Sequence, residues 1–217
     1  MKTAAFTKTY GERTVLDMPE TMLPEGRITA VIGPNGSGKS TYARIIAGLD
    51  RADGKKEVIR GVSVGYLPQK SFAFRMSTKR NVLLNGKDRE RAAELMKTMG
   101  IDALSRQSAK KLSGGENAKM ALCRILMGSY DLLILDEPTA SMDTESTLAA
   151  EGLIRSYCDD TGCTVLLITH SIRQAMRIAD RAILLDAGKL IERGEAARLL
   201  SEPSDDRTAG FLKFYGP

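Results

Sequence analysis

The chain has 217 residues, 42% of them hydrophobic and 27% charged, proportions ordinary for one soluble globular domain with a sizeable core and unlike those of a disordered chain. Thirty-two basic against 27 acidic residues leave a formal charge of +5, too modest and too scattered to read as a nucleic-acid surface, so no nucleic-acid partner is expected. The apolar runs are far too short to span a bilayer and the polar segment MKTAAFTKTYGERT has no signal-peptide core, so the chain is expected to stay in the cytosol.

The first strong element in chain order is ITAVI at 28–32, a run without polar alternation, followed by GPNGSGKS and the helical run TYARIIAGL. From about 71 to 112 no strand is convincing, and a small helical subdomain is expected at about 71–115. Within it, DRERAAELMKTMG carries apolar residues at helical spacing from an Asp88 cap to a Gly100 stop. Ser113 and Glu116 form a capping box that opens a helix over 116–127. LLIL (132–135), VLLIT (165–169) and AILL (182–185) read as strands buried on both faces, with a helix over 144–160 between the first two. LLDAGKLIERG reads as a hairpin turning at Ala187-Gly188. Strands alternating with helices give an α/β class with a mostly parallel sheet, and with no internal repeat or low-complexity linker the expectation is one domain, 1–217. Cys123, Cys158 and Cys163 lack metal-ligand spacing and read as free thiols.

GPNGSGKS fits the pattern G-x-x-x-x-G-K-[ST], directly after an apolar strand and directly before a helix. That context makes Gly33, Pro34, Asn35, Gly36, Ser37, Gly38, Lys39, Ser40 and Thr41 a phosphate-binding loop. Its glycines let backbone N–H groups converge on phosphate oxygens, and the helix N-terminus adds its partial positive charge. Lys39 reaches for the β- and γ-phosphates, and the Ser40 hydroxyl is a Mg²⁺ ligand.

DLLILDEP ends an apolar strand on two adjacent carboxylates, at the carboxyl edge where open α/β sheets bind their ligands. Asp136 is the candidate Mg²⁺ holder, through water. Glu137 is the candidate for the attacking water, as general base or orienting group.

KLSGGENAKMAL at 111–122 contains a second glycine loop. The capping box explains Ser113 and Glu116. It leaves Gly114 and Gly115 unexplained, and these keep the backbone open for an anion at a positively biased helix end. With this stretch the chain resembles the ATP-binding cassette ATPases, the nucleotide-binding subunits of ABC transporters, whose LSGGQ-like signature has the form of LSGG at 112–115. The other motifs follow in family order. Tyr10, before Gly11, is similar to the aromatic residue that stacks on adenine, with plain turn chemistry as the lesser alternative. Gln69 in GYLPQ resembles the glutamine that contacts Mg²⁺ and the attacking water. LDEPTASMD joins the carboxylate strand to a loop whose Asp143 would cross a dimer interface, and LLITH ends on His170, the only histidine and the place of the family's switch residue.

The resemblance implies a P-loop NTPase core with a small antiparallel β-subdomain and a short helical subdomain. It implies ATP and Mg²⁺ as cofactors and a second cassette packed head to tail, so that the signature of one closes over the ATP of the other. It further implies an ATPase that powers transport through permease subunits on separate chains, peripheral to the inner face of the cell membrane. THSIRQAMRIADR and SEPSDDRT are most similar to import ATPases for oxyanions or polar amino acids, which would add a solute-binding protein. Export-type cassettes and soluble non-transport cassettes, such as iron–sulfur assembly scaffolds, remain alternatives. The chain departs from the family pattern at Asn117-Ala118-Lys119, where Gln-Gln-Arg is common, and lysine lacks the planar fork of arginine. The intervals 48–69 and 69–113 are short, implying a trimmed β-subdomain and a minimal helical one. With the last helical pattern running into FLKFYGP, no C-terminal regulatory domain is expected.

Overall fold

The computed structural model describes residues 1–55 and 57–215, so the last two residues of FLKFYGP lie outside the described residues. The strands β1 (Lys2–Thr3), β2 (Phe6–Tyr10), β3 (Arg13–Met18) and β4 (Thr21–Met22) come first. β1 pairs antiparallel with β4, and β2 turns at Gly11, φ 60°, into an antiparallel partner, β3. Then follow β5 (Ile28–Ile32), α1 (Lys39–Ile46), β6 (Val64–Leu67), α2 (Thr78–Val82), α3 (Arg89–Thr98) and α4 (Gly114–Leu126). The remainder is β7 (Leu132–Asp136), α5 (Thr144–Thr161), β8 (Thr164–Ile168), α6 (Ile172–Ile178), β9 (Arg181–Asp186), β10 (Lys189–Glu195), α7 (Ala196–Ser201) and α8 (Asp206–Tyr215). No described helix is long and apolar enough to cross a membrane.

One sheet runs β2-β3-β10-β9-β5-β8-β7-β6, and its half from β9 to β6 is parallel throughout. Every residue of β5, β7 and β8 is buried, which is why these segments show no polar alternation. Successive side chains point to opposite faces. Leu133, Leu135, Val165 and Leu167 pack with Met120, Leu122 and Ile154 of α4 and α5, whereas Leu132, Ile134, Leu166 and Ile168 pack with Tyr42, Ile45 and Ile46 of α1. Both faces are thus covered by helices, and the carboxyl ends of the strands are left as the edge where side chains can meet a ligand.

The structure adjusts several expected boundaries. α4 starts at Gly114 rather than Glu116 because Ser113, whose side chain accepts from the Glu116 amide, is the residue before the first helical one. β8 runs from Thr164 to Ile168, leaving Thr169 beyond the strand. β6 is an unexpected four-residue edge strand, and the N-terminal strands supply the antiparallel pairing that the family resemblance implies. Asp88 caps α3 by accepting from Glu90 and Arg91, and Gly100 follows it at φ 65°. The β9–β10 hairpin turns where expected, with Ala187 at φ 44° and Gly188 at φ 78°.

Between β6 and β7 the structure consists of helices and irregular loops with no strand, apart from one isolated bridge, Ser77 to Ser108. Its first segment is tied to α4 by Arg124, a buried arginine with no carboxylate among its hydrogen-bond partners. The guanidinium donates to the Phe72 carbonyl at 3.1 Å and to Asn81 Oδ1 at 3.3 Å, and lies over the rings of Phe72 and Phe74. Burial lowers its pKa, so the carbonyl, the amide and the two ring faces replace much of its hydration.

Candidate functional site

The phosphate loop is seated by backbone contacts that only glycine permits. A Cβ at Gly33, φ 148°, would lie 2.0 Å from the Leu185 carbonyl oxygen of β9. One at Gly38, φ 101°, would lie 2.7 Å from the Leu16 side chain of β3. The hairpin turn closes the seat, because the Gly188 N–H donates to the Ser37 carbonyl at 3.0 Å and a Cβ on Gly188 would meet the Val15 carbonyl at 2.2 Å. α1 then starts at Lys39, and the N–H groups of its first turn have no intrahelical partner. The Ser37 hydroxyl is buried without a partner. Lys39 is buried and donates from Nζ to the Gly33 carbonyl at 2.8 Å and the Pro34 carbonyl at 2.9 Å. Burial lowers its pKa, against the pull of Glu137 and Asp136. A glycine cradle, an orphaned hydroxyl and an ammonium held only by carbonyls fit a phosphate chain.

The end of β7 supplies the acids. Asp136 is 2% exposed and accepts from the Ser40 hydroxyl at 3.2 Å and the Tyr66 hydroxyl at 3.3 Å. Burial raises its pKa, only partly offset by those two hydroxyls, so a cation beside it would relieve an existing cost. A carboxylate, a hydroxyl and the Gln69 amide form a hard oxygen donor set, which fits Mg²⁺. Glu137 sits at φ 51° in the left-handed region, with its N–H donating to the Ile168 carbonyl at the end of β8. Its carboxylate oxygen lies 2.8 Å from His170 Nδ1.

A cleft of about 310 Å³ is lined by Val15, Asn35, Gly36, Gly38, Lys39, Ser40, Thr41, Gln69 and Glu137. It brings Gln69 and Glu137 to the phosphate loop, and Glu137 brings His170. Tyr10, Ser113, Gly114, Gly115 and Asp143 are not among its lining residues. Tyr10 ends β2 half exposed, its hydroxyl donating to Asp50 at 2.6 Å and Lys8 Nζ 4.7 Å from its ring centre. A Cβ on Gly114 would meet open space, but one on Gly115 would lie 2.8 Å from the Ser141 carbonyl. The second signature glycine therefore has a packing reason besides any ligand. Asp143 caps α5, accepting from the Ser146 amide at 2.8 Å, and lies 3.9 Å from Lys119 Nζ. The lysine that replaces the family's common arginine thus reaches across to the loop after the carboxylates.

Sequence reading missed Tyr66, although it lies within GYLPQ. In β6 it alternates with the buried Gly65 and Leu67 and pairs with Ile134 in register, which sends its hydroxyl to the neighbouring strand's last carboxylate. Burial and Asp136 push its pKa up to about 12.

Phosphate loop, hydroxyl and carboxylates at the carboxyl ends of β5 and β7, parallel strands with β8 between them, define a P-loop nucleoside triphosphate hydrolase. The family model described as ABC transporter matches residues 16–140, and the chain belongs to that family. It is 38% identical over 202 residues to the tungstate uptake system ATP-binding protein TupC of Peptoclostridium acidaminophilum, covering 85% of this chain and 94% of that protein. It is 36% identical over 185 residues to the zinc import ATP-binding protein ZnuC of Photobacterium profundum, covering 82% and 72%. To the sulfate/thiosulfate import ATP-binding protein CysA of Mycobacterium tuberculosis (strain ATCC 25618 / H37Rv) it is 32% identical over 225 residues, covering 95% of this chain and 64% of that one. Among solved structures, the dimeric bacterial ABC transporter cassette MJ0796 superposes with a TM-score of 0.78 at 25% identity, over 90% of this chain and 98% of the cassette. The chain is an ATPase of this family, with ATP and Mg²⁺ as its cofactors.

The buried Asp136 carboxylate gives a pH-dependent stability difference. Its raised pKa means that the folded protein carries the cost of a buried charge above that pKa and loses the cost as the carboxyl protonates. Asp136→Asn should therefore raise the melting temperature of the nucleotide-free, Mg²⁺-free protein at pH 7 to 8. The gap to wild type should shrink as the pH falls through the raised pKa and vanish below the ordinary carboxylate range. A lower melting temperature for the variant at neutral pH would contradict this.

Proposed function

We propose that the chain, as a single cassette spanning 1–217, hydrolyses ATP as the nucleotide-binding subunit of an importer whose permease is carried on separate chains. The relatives support import, since TupC, CysA and ZnuC are all named for uptake or import. The observation that carries hydrolysis is the meeting of Ser40 with Asp136 and of Glu137 with His170 beside the phosphate loop.

In this reading the loop from Gly33 to Thr41 cradles the phosphates, and Lys39 leaves its two carbonyls for β- and γ-phosphate oxygens. Ser40, Asp136 and Gln69 would hold Mg²⁺, which would supply charge neutralisation for the transferred phosphoryl group. Glu137 orients the attacking water and accepts its proton. His170 holds the Glu137 carboxylate through Nδ1 and keeps Nε2 for the γ-phosphate. Ser113, Gly114, Gly115 and Asp143 act on the nucleotide of a second cassette packed head to tail. The helical region 71–115, with Phe72, Phe74 and Leu84 exposed, meets the permease and holds the chain at the cytoplasmic membrane face, with a solute-binding protein on the far side.

Glu137→Gln keeps the shape of the side chain and loses the proton acceptor. It should abolish turnover, retain ATP binding and accumulate an ATP-dependent dimer on size exclusion. Undiminished hydrolysis with no such dimer would remove Glu137 from this role. If Tyr10 stacks on adenine, Tyr10→Ala should weaken ATP binding by about 1–3 kcal/mol. Tyr10→Phe gives up only the bond to Asp50 and should stay within about 1 kcal/mol of wild type. Equal affinity for all three proteins in a nucleotide titration would leave Tyr10 a turn residue.

A further inference from the structure

The loops that carry Glu137 and His170 are joined twice. One joint is the Glu137–His170 contact itself, at the open edge of the sheet, where His170 is exposed. The second is built on the buried Gln174 and Glu151. Gln174, 1% exposed and one turn beyond His170, donates from Nε2 to Thr139 Oγ1 at 3.0 Å and to Glu151 Oε1 at 3.2 Å. Thr139 lies two residues after Glu137, and its carbonyl accepts from Met142 in the turn that leads to Asp143.

The orientation of the Gln174 amide is set by chemistry. Glu151, 3% exposed, is an acceptor-only carboxylate held bidentately by Arg177 at 2.6 Å to each oxygen. A flipped Gln174 would turn its carbonyl onto that carboxylate, so the NH₂ must face Glu151 and aim its other hydrogen at Thr139. The Gln174 carbonyl is left buried without a partner, a cost the site carries to keep the amide in this sense. At the other end, Ser171 caps α6 by accepting from the Gln174 amide, and its own N–H donates to the Thr169 hydroxyl. His170 stands between these two residues.

We propose that Thr139 and Gln174, braced by Glu151 and Arg177, are positioning residues for hydrolysis that set the spacing of the Glu137 and His170 loops. The inference rests on the roles proposed above for those two side chains. Glu137 at φ 51° is in a conformation that a non-glycine residue keeps only when its surroundings hold it there. The exposed His170 contact competes with water, whereas Gln174 and Glu151, which anchor the second joint, are buried.

The test is steady-state ATPase kinetics with thermal melting on Thr139→Val, Thr139→Ser, Gln174→Met, the Val/Met double variant and Glu137→Gln, all assayed well below their melting temperatures. Thr139→Val and Gln174→Met should each lower kcat by about tenfold or more with KM for ATP and nucleotide affinity unchanged. Thr139→Ser, which keeps the hydroxyl, should stay within about twofold of wild type, and the double variant should be no slower than the slower single one. A kcat within about twofold of wild type for both single variants would overturn the link. So would equal loss for Thr139→Ser and Thr139→Val, or a loss that only follows the folded fraction. If Glu137→Gln turns over normally, the reading of Glu137 itself fails. If Glu137→Gln is inactive while Thr139→Val and Gln174→Met are unimpaired, only the link fails.

Discussion

The parallel pairing of β5, β8 and β7 is the constraint on which the site depends. Because the three strands run the same way in register, with Val31 opposite Ile168 and Asp136 opposite Ile168, their carboxyl ends finish side by side. The phosphate loop leaves the first, Thr169 and His170 leave the second, and Asp136 and Glu137 end the third. Helices on both faces bury all five residues of each strand, which makes slippage costly and fixes the relative heights of these ends. The geometry of the acids and the loop therefore follows from the hydrophobic core rather than from contacts among themselves.

Upon that frame the site concentrates unfavourable features. Lys39 is buried with carbonyls for partners, Asp136 is buried with two hydroxyls, and Glu137 keeps a left-handed backbone. Groups in such states lose little further hydration when phosphates and a metal ion arrive, so the cost of organising the site lies in folding rather than in binding. The glycines at 33, 38 and 188 are where the frame and the loop touch, and at each a side chain would displace β3 or β9.

The features legible in the sequence were those with a local signature. ITAVI before GPNGSGKS, LLIL before Asp136, and the turn at Ala187-Gly188 each combine a burial pattern with residues that force a backbone state. β6 escaped because four residues at a sheet edge, half of them only partly buried, carry too short a pattern. The N-terminal strands escaped because FTKTY and RTVLDM mix polar and apolar residues on half-covered surfaces. Tyr66, Arg124 and the Thr139–Gln174–Glu151 link were illegible for a different reason: their partners lie 70, 52, 35 and 23 residues away, and such contacts leave no periodicity. Gly115 shows a limit of another kind, since one glycine serves both close packing on Ser141 and an open helix end.

Two glycine loops in one chain make sense if each serves a different nucleotide, and Ser113 is not among the residues that line the phosphate-loop cleft. The most direct measurement is complementation between Lys39→Ala and Ser113→Arg chains, each inactive alone because every site in its homodimer has one broken half. Mixed under two tags, they form heterodimers in which one site is broken twice and the other joins an intact phosphate loop to an intact signature. A signature acting in trans should give ATPase activity that appears on mixing and rises with the heterodimer fraction. Heterodimers that form yet remain inactive, alongside a linked one-site control that hydrolyses ATP, would contradict it.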